Sequence, residues 1–350
     1  MLPFTKLAYA KQLDAQDSLA HFRDQFAFDD SDLIYLDGNS LGRLPLKSCH
    51  LANNLVNDQW ARRLIRGWND GWIDLQTDIG AKIGQLIGAR PEEVIVADST
   101  SINLFKLALA AVQWQNGRTK IVTDDLNFPS DLYILRSVAA LAPHPIEVDI
   151  VPSDGIHGPV AGLAKAIDDE TALVALSHTV FKSSFMYDLT AVTQLAQSAG
   201  ALILWDLSHS AGSVPVNLEA ANVPLAVGCT YKYLNGGPGS PAFLYIQQEW
   251  QNKLGNPVTG WMGHREMFDF ALNYQRDPSL RHFLTGTPPI LSTALIEPGV
   301  DLLLAAGMEQ LRAKSIQQSE YLIALWQAWL KPFGFRLNSP VETAVRGSHD

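Results

Sequence analysis

Short apolar runs that end in polar residues, separated by helical stretches, constrain this chain more than any other feature. Val94-Ile95-Val96, Ile121-Val122-Thr123, Val148–Val151, Leu173–Leu176, Ala201–Trp205 and Leu225–Gly228 read as strands. Helical patterns fill the gaps: one running to about Trp114, one after Asp131, one over 159–168 and one over 189–199 closed by Gly200. Such alternation indicates an α/β domain with a largely parallel sheet. In sheets of this kind ligands sit outside the carboxyl ends of the strands. Thr100, Phe128, Ser177, Asp206 and the pair Tyr231–Lys232 all follow strands closely, so their side chains are expected to converge.

The stretch from Ala201 to Gly239 carries the densest chemistry. One strand delivers Asp206, Ser208 and His209; the next delivers Thr230, Tyr231 and Lys232, then a Gly/Pro-rich turn over Asn235–Gly239. An acid at one strand end and a lysine 26 positions later suit pyridoxal phosphate (PLP), where the lysine attaches the cofactor and the acid pairs with the pyridinium nitrogen. Two ordinary surface charges at strand ends would give the same spacing. Asp98-Ser99-Thr100-Ser101 opens a helix directly after a strand, a place where free N–H groups and the helix dipole favour a phosphate. A plain N-cap would need only one of those hydroxyls. Phe128 either lies over a flat ring or packs inside the fold.

Composition narrows the classes. The 350 residues suit a large domain plus a smaller one, and 47% hydrophobic with 18% charged residues describes a globular chain. A net charge of −10 without a basic block argues against nucleic acid or an anionic membrane as the main partner. Two cysteines, Cys49 and Cys229, make no disulfide framework and have no metal-ligand spacing, so no metal is expected and a reducing, cytoplasmic location fits. No apolar run reaches the ~20 residues of a membrane span. The first apolar run is broken by Lys6 and has no basic residues before it, so a signal peptide is not expected.

Elsewhere, an amphipathic helix is expected over 8–30, ending near Asp29-Asp30-Ser31-Asp32. A strand follows at Leu33–Leu36, then a tight turn at Asp37-Gly38-Asn39-Ser40-Leu41-Gly42. Helices are expected from about Lys47 to Arg66 and over 73–88, flanking Gly67-Trp68-Asn69-Asp70-Gly71-Trp72. Tryptophans in such a loop either stack on a flat ligand or fill a core or interface. Beyond Gly260-Trp261-Met262-Gly263-His264 and the stiff Thr285-Gly286-Thr287-Pro288-Pro289 loop, a long helical pattern covers 292–330 with a break near Gly307. A new strand is expected at Phe333–Leu337.

Five segments in order carry a family likeness. Tyr35-Leu36-Asp37-Gly38-Asn39-Ser40-Leu41-Gly42, Phe128-Pro129-Ser130-Asp131, Trp205-Asp206-Leu207-Ser208-His209-Ser210-Ala211-Gly212, Tyr231-Lys232-Tyr233-Leu234-Asn235-Gly236-Gly237-Pro238-Gly239 and Gly260–His264 resemble kynureninase. The resemblance implies the PLP-dependent transferase fold type I (aspartate-aminotransferase-like). It is an α/β fold with a mostly parallel seven-stranded sheet flanked by helices, plus a smaller α+β domain. Residues 1–60 would serve the small domain and dimer contacts, 61–290 the PLP-binding domain, and 291–350 would begin a small domain that is expected to be C-terminally incomplete. In the family a substrate-binding arginine lies beyond the Arg-Gly-Ser-His segment with which this sequence closes.

The resemblance also implies roles. Lys232 would attach the cofactor and act with Asp206 and Tyr231 in catalysis, Asp206 pairing with the ring nitrogen. Thr100 and Ser101 would bind phosphate, Phe128 would stack on the ring with Asp131 nearby, and Ser177 and His209 would contact the cofactor. Trp261 and Thr287 would reach the other subunit's site in a homodimer with shared active sites, and Ser40 and Trp68 would face substrate. The implied reaction is hydrolytic cleavage of L-kynurenine, or 3-hydroxykynurenine, to anthranilate (3-hydroxyanthranilate) and L-alanine in tryptophan catabolism or NAD biosynthesis. A class V aminotransferase would lack the Trp261 and Thr-Pro-Pro features, and a cysteine desulfurase needs a cysteine after the lysine, where none follows Cys229. A catalytically impaired PLP-binding fragment is the remaining alternative.

Overall fold

In the computed structural model, which describes residues 3–27, 30 and 32–349, six of the expected strands and a further one, Phe243–Ile246, assemble into one seven-stranded sheet. These are β1 (Val94–Val96), β2 (Lys120–Asp124), β3 (Glu147–Val151), β4 (Thr171–Ser177), β5 (Leu202–Asp206), β6 (Leu225–Gly228) and β7 (Phe243–Ile246). Their spatial order is β1-β7-β6-β5-β4-β2-β3. Every neighbouring pair is parallel except the two made by β7, which runs against both β1 and β6. The antiparallel return of β7 follows from the chain path, since a strand leaving the Gly-rich turn after Lys232 re-enters the sheet from the same end.

Helices α1 (Leu7–Ala15) and α2 (Leu46–Asn54) precede the sheet, and α3 (Leu75–Ile87) leads into it. Helices α4 (Thr100–Trp114), α5 (Pro129–Leu141), α6 (Val160–Ala166) and α7 (Leu189–Ser198) connect its strands. The short α8 (Gln248–Gln251) is followed by α9 (Ile290–Ala294), α10 (Glu297–Ala306) and α11 (Met308–Leu325). The central strands read as unbroken apolar runs because both faces are covered, and β4 is buried at all seven positions. Side chains then sort by the two-residue period. Ile203 and Trp205 join α3, α7 and α10 on one face, while Leu202 and Leu204 join α4 and α5 on the other. Each fully buried Leu or Ile contributes roughly 1.5–3 kcal/mol, so this two-faced packing is what holds the strand ends in register.

Local chemistry sets the boundaries. Gly88 closes α3 at φ 61 and Gly307 separates α10 from α11 at φ 78, both in the left-handed region that glycine tolerates. The break near Gly307 matches the expectation. Three other expectations do not hold. The 8–30 helix stops at Ala15, because the Asp17 carboxylate accepts from Leu19 N and pairs with Lys314 on α11, and only a short 3-10 segment, Ala20–Gln25, follows. Asp29 and Ser31, at the expected end of that helix, lie outside the described residues. Leu33–Leu36 is extended but joins no sheet, leaving Ile34 and Leu36 over 80% exposed. Phe333–Leu337 likewise finds no strand partner after Gly334 turns at φ 86. From Leu55 the α2 helix widens into π-type turns to Arg63 and tightens into a 3-10 turn over Leu64–Trp68. Among the described residues no single helix is long and apolar enough to cross a membrane.

Candidate active site

Register brings the first two site residues side by side, because Ser177 ends β4 opposite Asp206 at the end of β5. Asp206 is buried, and its Oδ1 accepts the Ser208 N–H at 2.8 Å. From the next strand, Cys229 N donates to Ser208 Oγ, fixing the two strand ends to each other at 3.1 Å. The chain then folds into a tight turn. Asn235 N donates to Lys232 O (3.0 Å) and Gly236 N to Thr230 O (2.9 Å), with Asn235 at φ 55. This turn aims Lys232 back across the sheet end, where its Nζ lies 3.0 Å from His209 Nε2. The ammonium also stands 5.9 Å from the centre of the Phe128 ring and 5.8 Å from that of Tyr231.

The third wall comes from β2. Asp124 accepts from Leu126 N and Asn127 N, and Tyr187 donates to its other oxygen. Asn127 in turn accepts from Ser177 N and donates to Ala175 O, which locks the β2 loop to β4. Phe128 is thereby held at the start of α5 with Pro129 as first helical residue, 46% exposed, its ring edge-on to Phe181 at 5.2 Å. Ser101 at the start of α4 bonds Ser130 at the start of α5, Oγ to Oγ at 2.9 Å. Two helix starts therefore meet with their hydroxyls in contact. Thr100 lines a cleft of about 540 Å³ with Tyr231 on one side and Thr285–Pro289 on another. Asp206 and Lys232 are not part of that lining.

Burial sets the electrostatics. It pushes the Asp206 carboxyl up, against the opposing pull of Ser208 and Lys232. Asp131 is driven well above the usual carboxylate range, first by burial and then by the neighbouring Asp206, with Lys232 pulling it down. Burial, aided by Lys232 and His349, lowers His209 to about 2, so it is neutral and accepts from the Lys232 ammonium at Nε2. Burial raises the Tyr231 phenol to about 12 and the Cys229 thiol to about 11, so both keep their protons near neutrality.

His178, fully enclosed against Trp205 and hydrogen-bonded to Ser210 at 2.9 Å, falls to about 4 through burial. An unfolded histidine titrates near 6.5. The unfolded chain therefore takes up a proton that folded His178 refuses, and stability falls as pH drops from about 6.5 towards 4. Against His178→Gln, the wild-type advantage in denaturant melts should shrink by roughly 1.4 kcal/mol per pH unit across that window. Subtracting the variant removes the opposing contribution of the raised carboxylates Asp131 and Asp206.

Not every expected residue joins this cluster. Ser40 sits in the Asp37–Gly42 turn, two residues before Gly42, whose N–H donates to Tyr231 O at 2.8 Å. A Cβ on Gly42 would stand 2.2 Å from Lys232 O, so the turn docks against the lysine only because this position is glycine. Trp68 pairs edge-on with Trp72 at 5.9 Å. Trp261 lines a second cleft of about 230 Å³ with Phe270 and Tyr274. Asn127, Ser130, Phe181 and His349 were not anticipated as site residues. His349 bonds Phe181 O (3.1 Å) and Tyr233 Oη (3.3 Å) and lies 5.4 Å from the His209 ring. Beside it, a Cβ on Gly347 would meet Thr179 Cγ2 at 2.5 Å, so this segment packs closely against the loop after β4.

These residues fit PLP. Hydroxyls at the start of α4 suit its phosphate, exposed Phe128 offers a ring face, and the buried Asp206 carboxyl stands ready for a ring nitrogen, with Lys232 in the same cluster. The strand order and the convergence of these strand ends define a PLP-dependent fold-type-I protein, and the family profile for aminotransferase class V matches residues 72–331. The chain belongs to the kynureninase family. It is 42% identical over 342 residues to the kynureninase of Pseudomonas fluorescens, covering 96% of this chain and 80% of that protein. It is 40% identical over 344 residues to the kynureninase of Burkholderia mallei, covering 97% and 81%. Among solved structures, an apo cysteine desulfurase from Thermococcus onnurineus NA1 superposes with TM-score 0.76 at 19% identity, covering 96% of this chain and 80% of that one. A mutant of C-DES with glycine covalently linked to its PLP cofactor also superposes at TM-score 0.76 and 19% identity, covering 86% and 79%. At that identity the two structures speak for the fold.

Proposed function

We propose that this chain is a PLP-dependent hydrolase that cleaves L-kynurenine, or its 3-hydroxy form, to anthranilate or 3-hydroxyanthranilate and L-alanine. The observation that carries this reading is the pairing of Asp206 and Lys232 at adjacent strand ends in a chain so similar to kynureninases over nearly its whole length. Bound PLP supplies an electron sink that stabilises negative charge on substrate carbon. Asp206 keeps the ring nitrogen protonated by placing an opposite charge beside it. Thr100 and Ser101 would hold the phosphate, Phe128 would offer a face to the ring, and Ser177, Asp131 and His209 would complete the cofactor's surroundings. Lys232 would hold the cofactor and would move the proton at the substrate's Cα, with neutral His209 accepting a hydrogen bond from its Nζ and orienting it. Tyr231 keeps its proton and serves as donor to the reacting centre. Water enters the γ-carbonyl and the Cβ–Cγ bond breaks, so one water is consumed for the two products.

Ser40 and Trp68 face the substrate in this reading. Trp261 and Thr287 of each protomer reach the site of the other in a homodimer. Supporting that, Phe268, Phe270 and Leu272 beside Trp261 are 58%, 76% and 103% exposed, an apolar group suited to burial by a second copy. Residues 61–290 form the cofactor domain, with 291–350 and 1–60 serving the small domain; the Lys314–Asp17 ion pair and the Tyr9–Tyr321 ring contact at 5.6 Å support that grouping. The enzyme works in the cytoplasm. Incubating the PLP-loaded protein with L-kynurenine should release fluorescent anthranilate and alanine in equal amounts. A protein that shows cofactor absorbance yet releases no anthranilate would overturn the substrate assignment.

A further inference from the structure

Lys106, in the second turn of α4, is a cation with 1% side-chain exposure on a helix whose Leu104, Leu107 and Leu109 are also buried. Burying an ammonium costs several kcal/mol unless it is paired and hydrogen-bonded. Lys106 has two partners, the Asp98 carboxylate and the Phe283 carbonyl oxygen, the latter at 2.7 Å. Asp98 lies at φ 44, a left-handed conformation that is strained for a non-glycine residue. It directly precedes Ser99 and Thr100, and its backbone is pinned to the sheet by Ala242 N donating to Asp98 O at 2.8 Å.

The other partner anchors a different part of the site. Phe283 is fully buried and continues into Leu284–Pro289, which faces Asp98–Thr100 across the 540 Å³ cleft. The Gly260–Gly263 segment is packed onto this same stretch. Met262 N donates to Thr285 O at 3.3 Å, and a Cβ on Gly260 would stand 2.1 Å from that oxygen. A Cβ on Gly263 would stand 2.7 Å from Leu284 O. Trp261 and Thr287 therefore hang from one packed unit, and Lys106 joins that unit to the start of α4. An apolar side chain of similar length would fill the space without desolvating a charge. What the ammonium adds is direction, since its hydrogen bonds fix two separate backbone segments to each other.

We infer that Lys106 is a positioning residue that sets the spacing between the phosphate-binding start of α4 and the loops bearing Trp261 and Thr287. It acts through Asp98 and the Phe283 carbonyl. The inference rests on the PLP reading for its functional consequence but not for its structural one. Hydrogen exchange on the cofactor-free protein tests the structural part with Lys106→Met and with Lys106→Met/Asp98→Asn, which leaves no unpaired charge if the single variant fails to fold. Amides of 260–263 and 284–287 should exchange about tenfold faster, the effect of losing a hydrogen bond to a charged group, while β2 and β4 stay protected. In binding titrations the variants should lose about tenfold in PLP affinity and less than about threefold for pyridoxal, which lacks the phosphate. Folded variants with wild-type loop exchange and an unchanged PLP-to-pyridoxal ratio overturn the inference. Wild-type protein that binds no PLP overturns the cofactor reading instead, and the exchange data still decide the role of Lys106.

Discussion

Lys232→Ala should abolish covalent attachment of PLP and lower turnover of L-kynurenine by about 10³-fold or more, since the variant loses both the nucleophile and a proton-transfer group. The expectation follows from where the side chain stands. Its Nζ is 3.0 Å from a neutral His209 and within 6 Å of the Phe128 and Tyr231 ring centres, and its charge is the one that both Asp131 and Asp206 feel. Removing it also leaves Asp131 and Asp206 without the cation that pulls both carboxyls down, so the variant's carboxyls rise further. The measurement is borohydride reduction followed by mass spectrometry, beside single-turnover anthranilate release. A cofactor mass fixed to the variant chain, or turnover within about tenfold of wild type, sinks the assignment of Lys232. Loss of fixation with PLP still bound noncovalently is the pattern that supports it.

The position of Lys232 could be read from the sequence because buried parallel strands announce themselves. Leu225–Gly228 is apolar throughout, so the first polar residues after it must lie at the sheet's carboxyl end. The same logic places Ser177 and Asp206, whose strands are covered on both faces. Contacts between segments distant in sequence leave no such periodic trace. Nothing in the run of residues around Gly42 says that its N–H meets Tyr231 O, and nothing around His349 says that it lies against His209. Lys106 is the clearest case: on a helical pattern it looks like one charge breaking an apolar face, and its burial follows from the Asp98 carboxylate together with the approach of Phe283 from 177 positions away. The two expected strands that do not form have a related cause. Leu33–Leu36 and Phe333–Leu337 have strand-like composition, but a strand exists only where a neighbour supplies hydrogen bonds. The overlong first helix failed on a local competitor, the Asp17 carboxylate, that hydrophobic period does not register.

Asp206→Asn separates charge from shape. Asparagine keeps a carbonyl oxygen that can accept from Ser208 N, so the link between the β5 end and the loop survives, while the negative charge is lost. An opposite charge in contact typically shifts a neighbour's pKa by about 1–3 units, and each unit is about 1.4 kcal/mol. Without it the cofactor's ring nitrogen sheds its proton and the electron sink weakens, so kcat should fall by about 10²–10³-fold with a much smaller change in KM. The variant also removes one of the two influences that raise Asp131; burial still raises it and Lys232 still lowers it, so its carboxyl moves down from its wild-type position. Any acid limb of the pH–rate profile set by that pair should therefore shift to lower pH as the neighbouring negative charge disappears. Asp206→Glu makes the opposite comparison: it keeps the charge but adds a methylene at a fully buried strand end, where overpacking costs about 1–3 kcal/mol. If Asn retains kcat within about threefold of wild type while Glu does not, steric fit rather than charge governs this position and the pairing of Asp206 with the ring nitrogen is wrong. If Asn loses the rate and Glu recovers part of it, the carboxylate is acting through its charge.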